Sequence, residues 1–302
     1  MVNEWVVIAA SHMGGPEGGR VLAAGIEAEG GELTEGWSLS AAGPVYAGGY
    51  VFALPEGRAP TGLRARLEAE LEADIAVMPR ARFSRKRLLI SDMDSTIIGQ
   101  ECIDELADAV GLKPQIAEIT ERAMRGELDF EAALTSRVAM LRGLPLGELE
   151  RTLRERLTLN PGARTLVATM KAHGAQTILV SGGFTFFTSR IAEKAGFAAH
   201  QGNTLLDDGS ALTGQVGQPI LGRAAKRTAL VEASAALGAG LEDALALGDG
   251  ANDLDMIKAA GLGVAYHAKP VVAAEAAAAI RHTDLTAALF FQGFTASDFV
   301  HG

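Results

Sequence analysis

The chain has 302 residues, a formal net charge of −10 and 48% hydrophobic residues, which suggests two domains with buried cores rather than a disordered chain. The acidic balance argues against a nucleic-acid partner and against an anionic membrane surface, since both are bound through basic faces. No apolar stretch approaches the roughly 20 residues that a membrane span needs. The start lacks a signal-peptide pattern, and the single cysteine, Cys102, excludes an intramolecular disulfide. These features predict a soluble, cytoplasmic protein.

Residues 1–82 alternate strand and helix patterns. EWVVIAA predicts a strand, RVLAAGIEAEG a helix, GELTEGWSLS and AGGYVFALPE two strands, TGLRARLEAELEA a helix and DIAVMP a last strand. This order is typical of a small α+β ferredoxin-like domain. The charged stretch RARFSRKR, residues 80–87, is interpreted as a solvated linker. We therefore predict a first domain over residues 1–82.

A second pattern begins at Leu88 and predicts a domain over residues 83–302. The apolar runs RLLIS, QTILVS, DALALGD and LGVAY alternate with helical segments, which indicates a parallel sheet covered by helices on both faces. Residues 102–158 interrupt this alternation with consecutive amphipathic helices, so we predict a helical insertion that lies over the sheet as a cap. The alanine-rich VVAAEAAAAI, residues 271–280, is predicted to be an ordinary helix.

Polar motifs follow three of the predicted buried strands. They are Asp92-Met-Asp94 after the first, Ser181-Gly182-Gly183 after the second and Gly248-Asp-Gly-Ala-Asn-Asp253 after the third. Each alone is an ordinary turn sequence. Because the carboxyl ends of parallel strands form the ligand-binding edge of such sheets, their ordered combination predicts a site there. Lys226, in a helical segment before the third strand, is predicted to join it.

Three carboxylates on one edge call for a cation. Magnesium prefers oxygen ligands from one or two carboxylates, with waters and a substrate phosphate completing its shell. Asp92, Asp249 and the backbone carbonyl of Asp94 could supply the protein's share. Cys102 is interpreted as a small buried residue rather than a nucleophile.

A phosphoryl group is the anion that fits the remaining groups. Ser181 and the Gly182-Gly183 backbone offer a hydroxyl and N–H groups at a helix start, and Lys226 adds a positive charge. In this hypothesis Asp92 attacks the phosphate to give an aspartyl-phosphate. Asp94 protonates the leaving alcohol and then activates a water molecule.

These motifs resemble those of the haloacid dehalogenase superfamily and, within it, of the phosphoserine phosphatases. The family's D-x-D-S-T-x-x-x-x-E stands at residues 92–101, S-G-G-F at 181–184 and G-D-G-A-N-D at 248–253. The predicted cap also looks like the family's, with Met124, Phe130 and Arg137 at the expected places. The resemblance covers residues 88 to about 290.

The resemblance implies the superfamily's Rossmann-like α/β sheet with a helical cap. It also implies Mg²⁺-dependent hydrolysis of O-phospho-L-serine, the last step of serine biosynthesis. Glu101 would meet the substrate ammonium and Arg137 its carboxylate, and an arginine fork matches a carboxylate bidentately. The remaining substrate-binding residues that it implies are Met124, Phe130, Ser181, Gly182, Gly183, Lys226 and Asn252. Residues 1–82 resemble the small ACT-like domains appended to some bacterial members.

Two alternatives stay open on the sequence alone. A phosphatase or phosphotransferase of the same superfamily could act on another small phosphomonoester, which would gain nothing from Glu101 and Arg137. Alternatively, the chain could serve mainly as an amino-acid sensor through residues 1–82. The sequence does not fix the oligomeric state, and a homodimer is one option.

Overall fold

The computed structural model describes residues 3–13, 16–124 and 128–302. The strands are β1 (Asn3–Ser11), β2 (Glu32–Ser40), β3 (Tyr46–Leu54), β4 (Asp74–Pro79), β5 (Leu88–Ser91), β6 (Gln176–Phe184), β7 (Ala199–Asn203), β8 (Leu205–Asp207), β9 (Leu212–Val216), β10 (Ala244–Gly248), β11 (Leu262–Tyr266) and β12 (Ala278–Ile280). The helices are α1 (Pro16–Ala28), α2 (Leu63–Glu70), α3 (Cys102–Ala109), α4 (Lys113–Met124), α5 (Phe130–Met140), α6 (Leu146–Arg156), α7 (Ala163–Ala172), α8 (Thr185–Ala195), α9 (Arg223–Ala236), α10 (Leu254–Ala259), α11 (Pro270–Glu275) and α12 (Ala287–Phe290). Within these ranges no helix is long and apolar enough to cross a membrane.

A single large sheet runs through the described part of the chain, in the order β2-β3-β1-β4-β12-β11-β10-β5-β6-β7. The strands from β12 to β7 are parallel to one another. From β5 the chain proceeds to β6 and β7 on one side and later to β10, β11 and β12 on the other. The order of strands therefore reverses between β5 and β10, and such a reversal opens a crevice at the carboxyl ends of the strands.

Five helices lie between β5 and β6 in the chain, and the first four, α3 to α6, occupy the region of the predicted cap. A short hairpin of β8 and β9 follows β7 and reaches this cap. The hairpin is bonded to the loop after α5 by Gly143 N to Leu212 O (2.8 Å), Leu212 N to Leu144 O (2.9 Å) and Leu146 N to Ser210 O (3.0 Å). The cap is thus anchored by a second insertion that the sequence did not predict.

Residues 3–79 contain the predicted order β1-α1-β2-β3-α2-β4. Helices α1 and α2 cover one face of this part of the sheet with a separate apolar cluster that includes Ile26, Phe52 and Leu67. The opposite face belongs to the large core that includes the rest of the chain, since Val6, Ile8 and Met78 lie in the same cluster as residues of α12.

Strand β4 joins the two parts by pairing antiparallel with β12 at Ala76 and Ala278. Buried Asp74 strengthens this join. Its carboxylate accepts the backbone N–H groups of Arg281 (2.6 Å), His282 (2.9 Å) and Thr283 (2.9 Å), and the Thr283 hydroxyl as well. The N-terminal unit is therefore bonded into the larger sheet as well as packed on it.

One local prediction is wrong, and another holds except at a single buried residue. Residues 271–280 are not one helix, because α11 ends at Glu275 and β12 follows. The small apolar side chains of β12 are buried between β11 and β4, and that tertiary burial overrides the helix preference of alanine. Residues 80–87 are not a fully solvated linker, because Lys86 is 4% exposed. The Lys86 ammonium donates to the carbonyls of Arg82 (2.7 Å) and Glu242 (2.9 Å).

Candidate active site

The reversal between β5 and β10 brings the three sequence motifs to one edge of the sheet. Asp92 follows β5, Asp249 follows β10 and Ser181 lies in β6, the other neighbour of β5. All three strands are mostly apolar and buried up to these positions, so their burial between helices fixes where each chain emerges. The sheet therefore converts three distant sequence positions into one cluster.

Asp92 is held on both carboxylate oxygens at the bottom of this cluster. Its Oδ2 lies 2.8 Å from the ammonium nitrogen of Lys226, and its Oδ1 accepts the N–H of Met93 at 2.8 Å. Burial, and then the negative charge of Asp253, raise the pKa of Asp92 well above its usual value. The positive charge of Lys226 does not fully offset the cost of burying the Asp92 carboxylate, and a bound cation would reduce that cost.

Lys226 comes from the first turn of α9 and pairs with two carboxylates. Its Nζ also lies 2.6 Å from Oδ1 of Asp253, whose Oδ2 accepts the N–H of Gly250 at 3.0 Å. Burial lowers the pKa of Lys226, but the attraction of Asp92 and Asp253 outweighs it and leaves the pKa raised. The lysine is therefore a fixed positive charge at neutral pH.

The donor set at this edge fits a hard divalent cation. Carboxylate oxygens of Asp92, Asp249 and Asp253 lie within 4.8 Å of one another. Burial and Asp253 raise the pKa of Asp249 to about 6, again the sign of uncompensated negative charge. Asp92 and Asp253 also bind Lys226, whereas Asp249 has no ion pair among the described residues, so a cation would add the positive charge that this cluster lacks. The backbone carbonyl of Asp94 stays a predicted third ligand.

Asp94 is positioned by two hydrogen bonds beside Asp92. The N–H of Cys102 donates to its Oδ1 at 2.9 Å, and the hydroxyl of Ser181 donates to its Oδ2 at 3.1 Å. Ser181 in turn accepts the N–H of Gly183 at 2.8 Å. Burial, and then the charge of Asp94, raise the pKa of the Cys102 thiol, so a thiolate nucleophile is disfavoured there.

Glu101 stands at the mouth of the cleft, where α3 begins. Its Oε1 accepts the hydroxyl of Ser95 at 2.7 Å. Desolvation by the surrounding protein, and then the negative charge of Asp94, raise the pKa of the Glu101 carboxyl to about 7. After Asp92 and Asp249, the site thus presents a third carboxylate whose negative charge is not fully compensated, and an ammonium group is a ligand that would balance it.

The cap supplies Phe130 and Arg137 from α5. Arg137 is half-buried, and its Nε donates to the carbonyl of Ala133 at 3.3 Å. Burial lowers the pKa of its guanidinium, and the nearby charges of Asp104 and Glu101 offset only part of that effect. The ring of Phe130 packs directly over Gly182, where an added Cβ would lie 3.0 Å from a ring carbon. The cap therefore faces the Ser181-Gly182-Gly183 segment, which lies at the end of β6.

Two predicted residues are less defined. Asn252 lies half-buried in the turn after β10. Met124 ends α4, and its side chain lies outside the described part of the chain.

Sequence reasoning missed three residues that the structure places at the site. Asp253 is the last residue of the third motif, so the sequence did indicate that it belongs to the site. Its role as the partner of Lys226 follows only from the fold. Ser95 lies inside the first motif and has a left-handed backbone with φ of +53°, which is unusual for a residue other than glycine. Asn203, which contacts the Ser181 turn, carries no sequence signal.

Known proteins show the same architecture. A model of the haloacid dehalogenase-like hydrolases matches residues 89–258. A phosphoserine phosphatase of Albidiferax ferrireducens is 48% identical over 199 residues, which cover 64% of this chain and 84% of that protein.

Two crystal structures extend the likeness over nearly the whole chain. A haloacid dehalogenase family hydrolase of Salmonella enterica serovar Typhi superposes with a TM-score of 0.81 at 30% identity, covering 95% of this chain and 98% of that one. An unliganded probable phosphoserine phosphatase of Vibrio cholerae gives a TM-score of 0.76 at 33% identity, covering 96% and 86% of the two chains. With its acidic, lysine-paired site at the carboxyl edge of the sheet, this chain belongs to the haloacid dehalogenase-like hydrolase family and is a phosphatase.

Proposed function

We propose that this chain hydrolyses O-phospho-L-serine to L-serine and inorganic phosphate through an aspartyl-phosphate on Asp92. The observation that carries the proposal is the placement of Glu101 and Arg137 beside a phosphotransfer site made of Asp92, Asp94 and Lys226. An amino-acid head group is the substrate feature that needs both an anionic and a cationic partner. The names of the relatives reported above support the same substrate.

In the first step an oxygen of Asp92 attacks phosphorus, and the bond between phosphorus and the serine oxygen breaks. Lys226 and the N–H groups near Ser181 stabilise the charge on the phosphoryl oxygens. Asp94, in its protonated form, gives its proton to the departing serine oxygen. The products of this step are free serine and a phosphorylated Asp92.

In the second step Asp94, now a carboxylate, accepts a proton from a water molecule whose oxygen attacks phosphorus. The bond between phosphorus and Asp92 breaks, so phosphate leaves and both carboxyl groups return to their starting states. The hydrogen bonds from Cys102 and Ser181 hold Asp94 in place for both transfers, each of which typically contributes about 10²–10⁴-fold to the rate.

Asp92 and Asp249 would hold magnesium in this proposal. When bound, magnesium supplies positive charge against the phosphate oxygens and the carboxylates. The raised pKa values of both residues support a divalent cation, and hard oxygen ligands favour magnesium over softer metals.

Recognition of the head group would come from both sides of the cleft. Glu101 would accept the substrate ammonium, and Arg137 would bind its carboxylate as the cap closes. Phe130 would cover the serine carbon atoms. Losing one such charged contact leaves its partner unpaired, at a cost of roughly 2–5 kcal/mol.

A phosphate-release assay tests the substrate. We expect the wild type to prefer phosphoserine to phosphoethanolamine, which lacks the carboxylate, and to p-nitrophenyl phosphate. Arg137→Ala should lower kcat/KM for phosphoserine by about 30-fold or more, following from the cost above, and change the aryl phosphate far less. Asp92→Asn serves as the inactive blank, and chelation followed by magnesium addition tests the metal.

Two results would favour the broader alternative of another small phosphomonoester. One is a wild type without preference for phosphoserine over phosphoethanolamine. The other is an Arg137→Ala variant that slows both substrate types equally. Full activity in excess chelator would remove magnesium from the proposal. The place in serine biosynthesis and a cytoplasmic location belong to the same proposal and depend on this substrate.

The sensor alternative meets an obstacle in the N-terminal unit. A cavity of about 930 Å³ lies between α1 and strands β2 and β3. Its lining includes Glu17, Glu70 and Glu72, and no lysine or arginine among the residues described. Such a lining repels the carboxylate of an amino acid, so the phosphatase remains the favoured function.

A further inference from the structure

We propose that Asn203 is a positioning residue that holds the two phosphate-binding segments of the site at a fixed separation. One segment is the Ser181-Gly182-Gly183 turn and the other is the start of α9, which carries Lys226. The inference rests on the phosphate chemistry of the proposed function. It does not depend on serine being the leaving group.

Asn203 ends β7 and is 1% exposed. Its Nδ2 donates to the carbonyl of Gly182 at 2.8 Å and to the carbonyl of Leu221 at 3.3 Å, while its Oδ1 accepts the N–H of Leu221 at 2.7 Å. Two carbonyls require the amino group and one N–H requires the oxygen, so the partners fix the orientation of the amide. Both N–H bonds of the Asn203 amide therefore donate to a carbonyl. The side chain bridges two segments that lie far apart in the chain.

The bonds lead directly to groups that would contact phosphate. Gly182 lies next to Ser181, whose hydroxyl bonds to Asp94. On the other side, Leu221 lies two residues before α9, and Lys226 follows in the first turn of that helix. The Asn203 amide therefore sets the separation between the hydroxyl side and the ammonium side of one phosphate cradle.

The cap residue Phe130 rests on both of these segments. An added Cβ would lie 3.0 Å from its ring at Gly182 and 3.6 Å at Gly222. A shift of either segment would therefore disturb the cradle and the seat of the cap together. If Asn203 supported only its own surroundings, its loss would not disturb both the cradle and the seat of the cap.

A purely structural reading is the competing explanation, because Asn203 also stands at the root of the β8–β9 hairpin. Gly217 N donates to Thr204 O at 2.8 Å and closes that hairpin immediately after Asn203. Loss of the amide would leave buried carbonyl and N–H groups without partners, which lowers stability in any case. The test must therefore measure phosphate binding in folded protein.

The experiment compares Asn203→Ala and Asn203→Asp with Thr177→Val. The aspartate keeps an acceptor for Leu221 and loses both donated bonds. Thr177 is a matched control, since it is fully buried at the far end of β6 and accepts the N–H of Ala198 at 3.0 Å. For each protein, kcat/KM for phosphoserine and p-nitrophenyl phosphate and the inhibition constant of inorganic phosphate are measured well below its Tm.

We expect both Asn203 variants to lose roughly 10²-fold in kcat/KM, a typical cost of misplacing a reacting group by about an ångström. The loss should be similar for the two substrates, because the phosphate is common to both, and phosphate should inhibit more weakly. Thr177→Val should lower Tm without these changes.

Wild-type kcat/KM and phosphate inhibition in Asn203→Ala, or a loss confined to phosphoserine, would overturn the inference. If Asn203→Ala does not fold, the same readouts on Asn203→Asp decide it. A wild type active on the aryl phosphate but not on phosphoserine would overturn the proposed substrate and leave the comparison of Asn203 variants valid.

Discussion

The carboxylates of the site lie close together, and the positively charged side chains near them do not fully balance their negative charge. Lys226 pairs with Asp92 and Asp253, while Asp249 and Glu101 keep raised pKa values of about 6 and about 7. Ligand charges, those of a divalent cation and of an ammonium group, would supply the remainder. The ligand-free protein should therefore carry an electrostatic cost that depends on pH.

Glu101 allows that cost to be measured. Its folded pKa of about 7 lies above the usual 4.5, so the folded state binds this proton more tightly than the unfolded state does. Stability should fall as pH rises from about 4.5 to about 7. In chelator and without substrate, the Tm of Glu101→Gln should therefore equal that of the wild type near pH 4.5 and exceed it increasingly up to pH 7.

The control for this prediction is Glu131→Gln, which changes an exposed glutamate on α5. Its Tm should run parallel to that of the wild type over the same range. If the Glu101→Gln curve also runs parallel from pH 4.5 to pH 8, the negative surroundings of Glu101 do not destabilise the ligand-free protein.

At the scale of elements, the β8–β9 hairpin is the support of the cap. Gly214 lies in β9 with φ of +77°, and an added Cβ would lie 2.8 Å from Cβ of Arg142 and 3.2 Å from the carbonyl of Ala139. The strand therefore approaches the end of α5 more closely than any side chain permits. Because α5 carries Phe130 and Arg137, this approach helps to place the side of the cap that would contact the substrate in the proposed function.

Gly214→Ala should cost about 2–4 kcal/mol of unfolding free energy, since overpacking typically costs 1–3 kcal/mol and the left-handed backbone adds about 1. The KM for phosphoserine should rise as well. Gly209→Ala is the matched control, because Gly209 has φ of +89° in the same hairpin and open space around its Cβ position. That variant should cost only about 1 kcal/mol. Equal losses in urea unfolding of the two variants would contradict the close packing.

The sequence predicted the features that depend on residues close to one another in the chain. Asp92, Asp94, Ser181 and Asp249 each follow or end an apolar run, so strand placement and the switch in strand order sufficed to group them. The support of Gly182 by Asn203, which lies beyond the whole of α8, depends on the route of β7 and has no local pattern. Strand β12 was missed because a short alanine-rich segment forms a strand only when its neighbours in the sheet bury it.

At the scale of the whole molecule, Asp74 is one of the polar links between the N-terminal unit and the rest of the chain, beside Arg64, whose guanidinium donates to the carbonyls of Ala273 and Ala276. Asp74→Ala would leave three backbone N–H groups and the Thr283 hydroxyl without their acceptor. An unsatisfied buried donor typically costs about 1–3 kcal/mol, so we expect a loss of about 3 kcal/mol or more in urea unfolding. Turnover measured below the Tm should stay near the wild-type value.

Glu72→Ala is the control for this link, since Glu72 is exposed next to β4, and its stability should stay within about 0.5 kcal/mol of the wild type. An Asp74→Ala protein as stable as Glu72→Ala would show that the hydrogen bonds of Asp74 do not contribute to joining the two parts. The boundary at residue 82 and the ACT-like character of the first unit remain predictions.

The pairing of β4 with β12 also determines which strand forms this border of the sheet. Without β4, the alanine-rich β12 would end the sheet with unpaired backbone groups and no charged side chain, a template for pairing with another chain. The N-terminal unit moves that exposed border to β2, which carries Glu32 and Glu35 and is irregular at two points along its pairing with β3. Charge and irregularity both discourage a second chain from adding there. The same unit that extends the sheet thus gives it an end that resists aggregation.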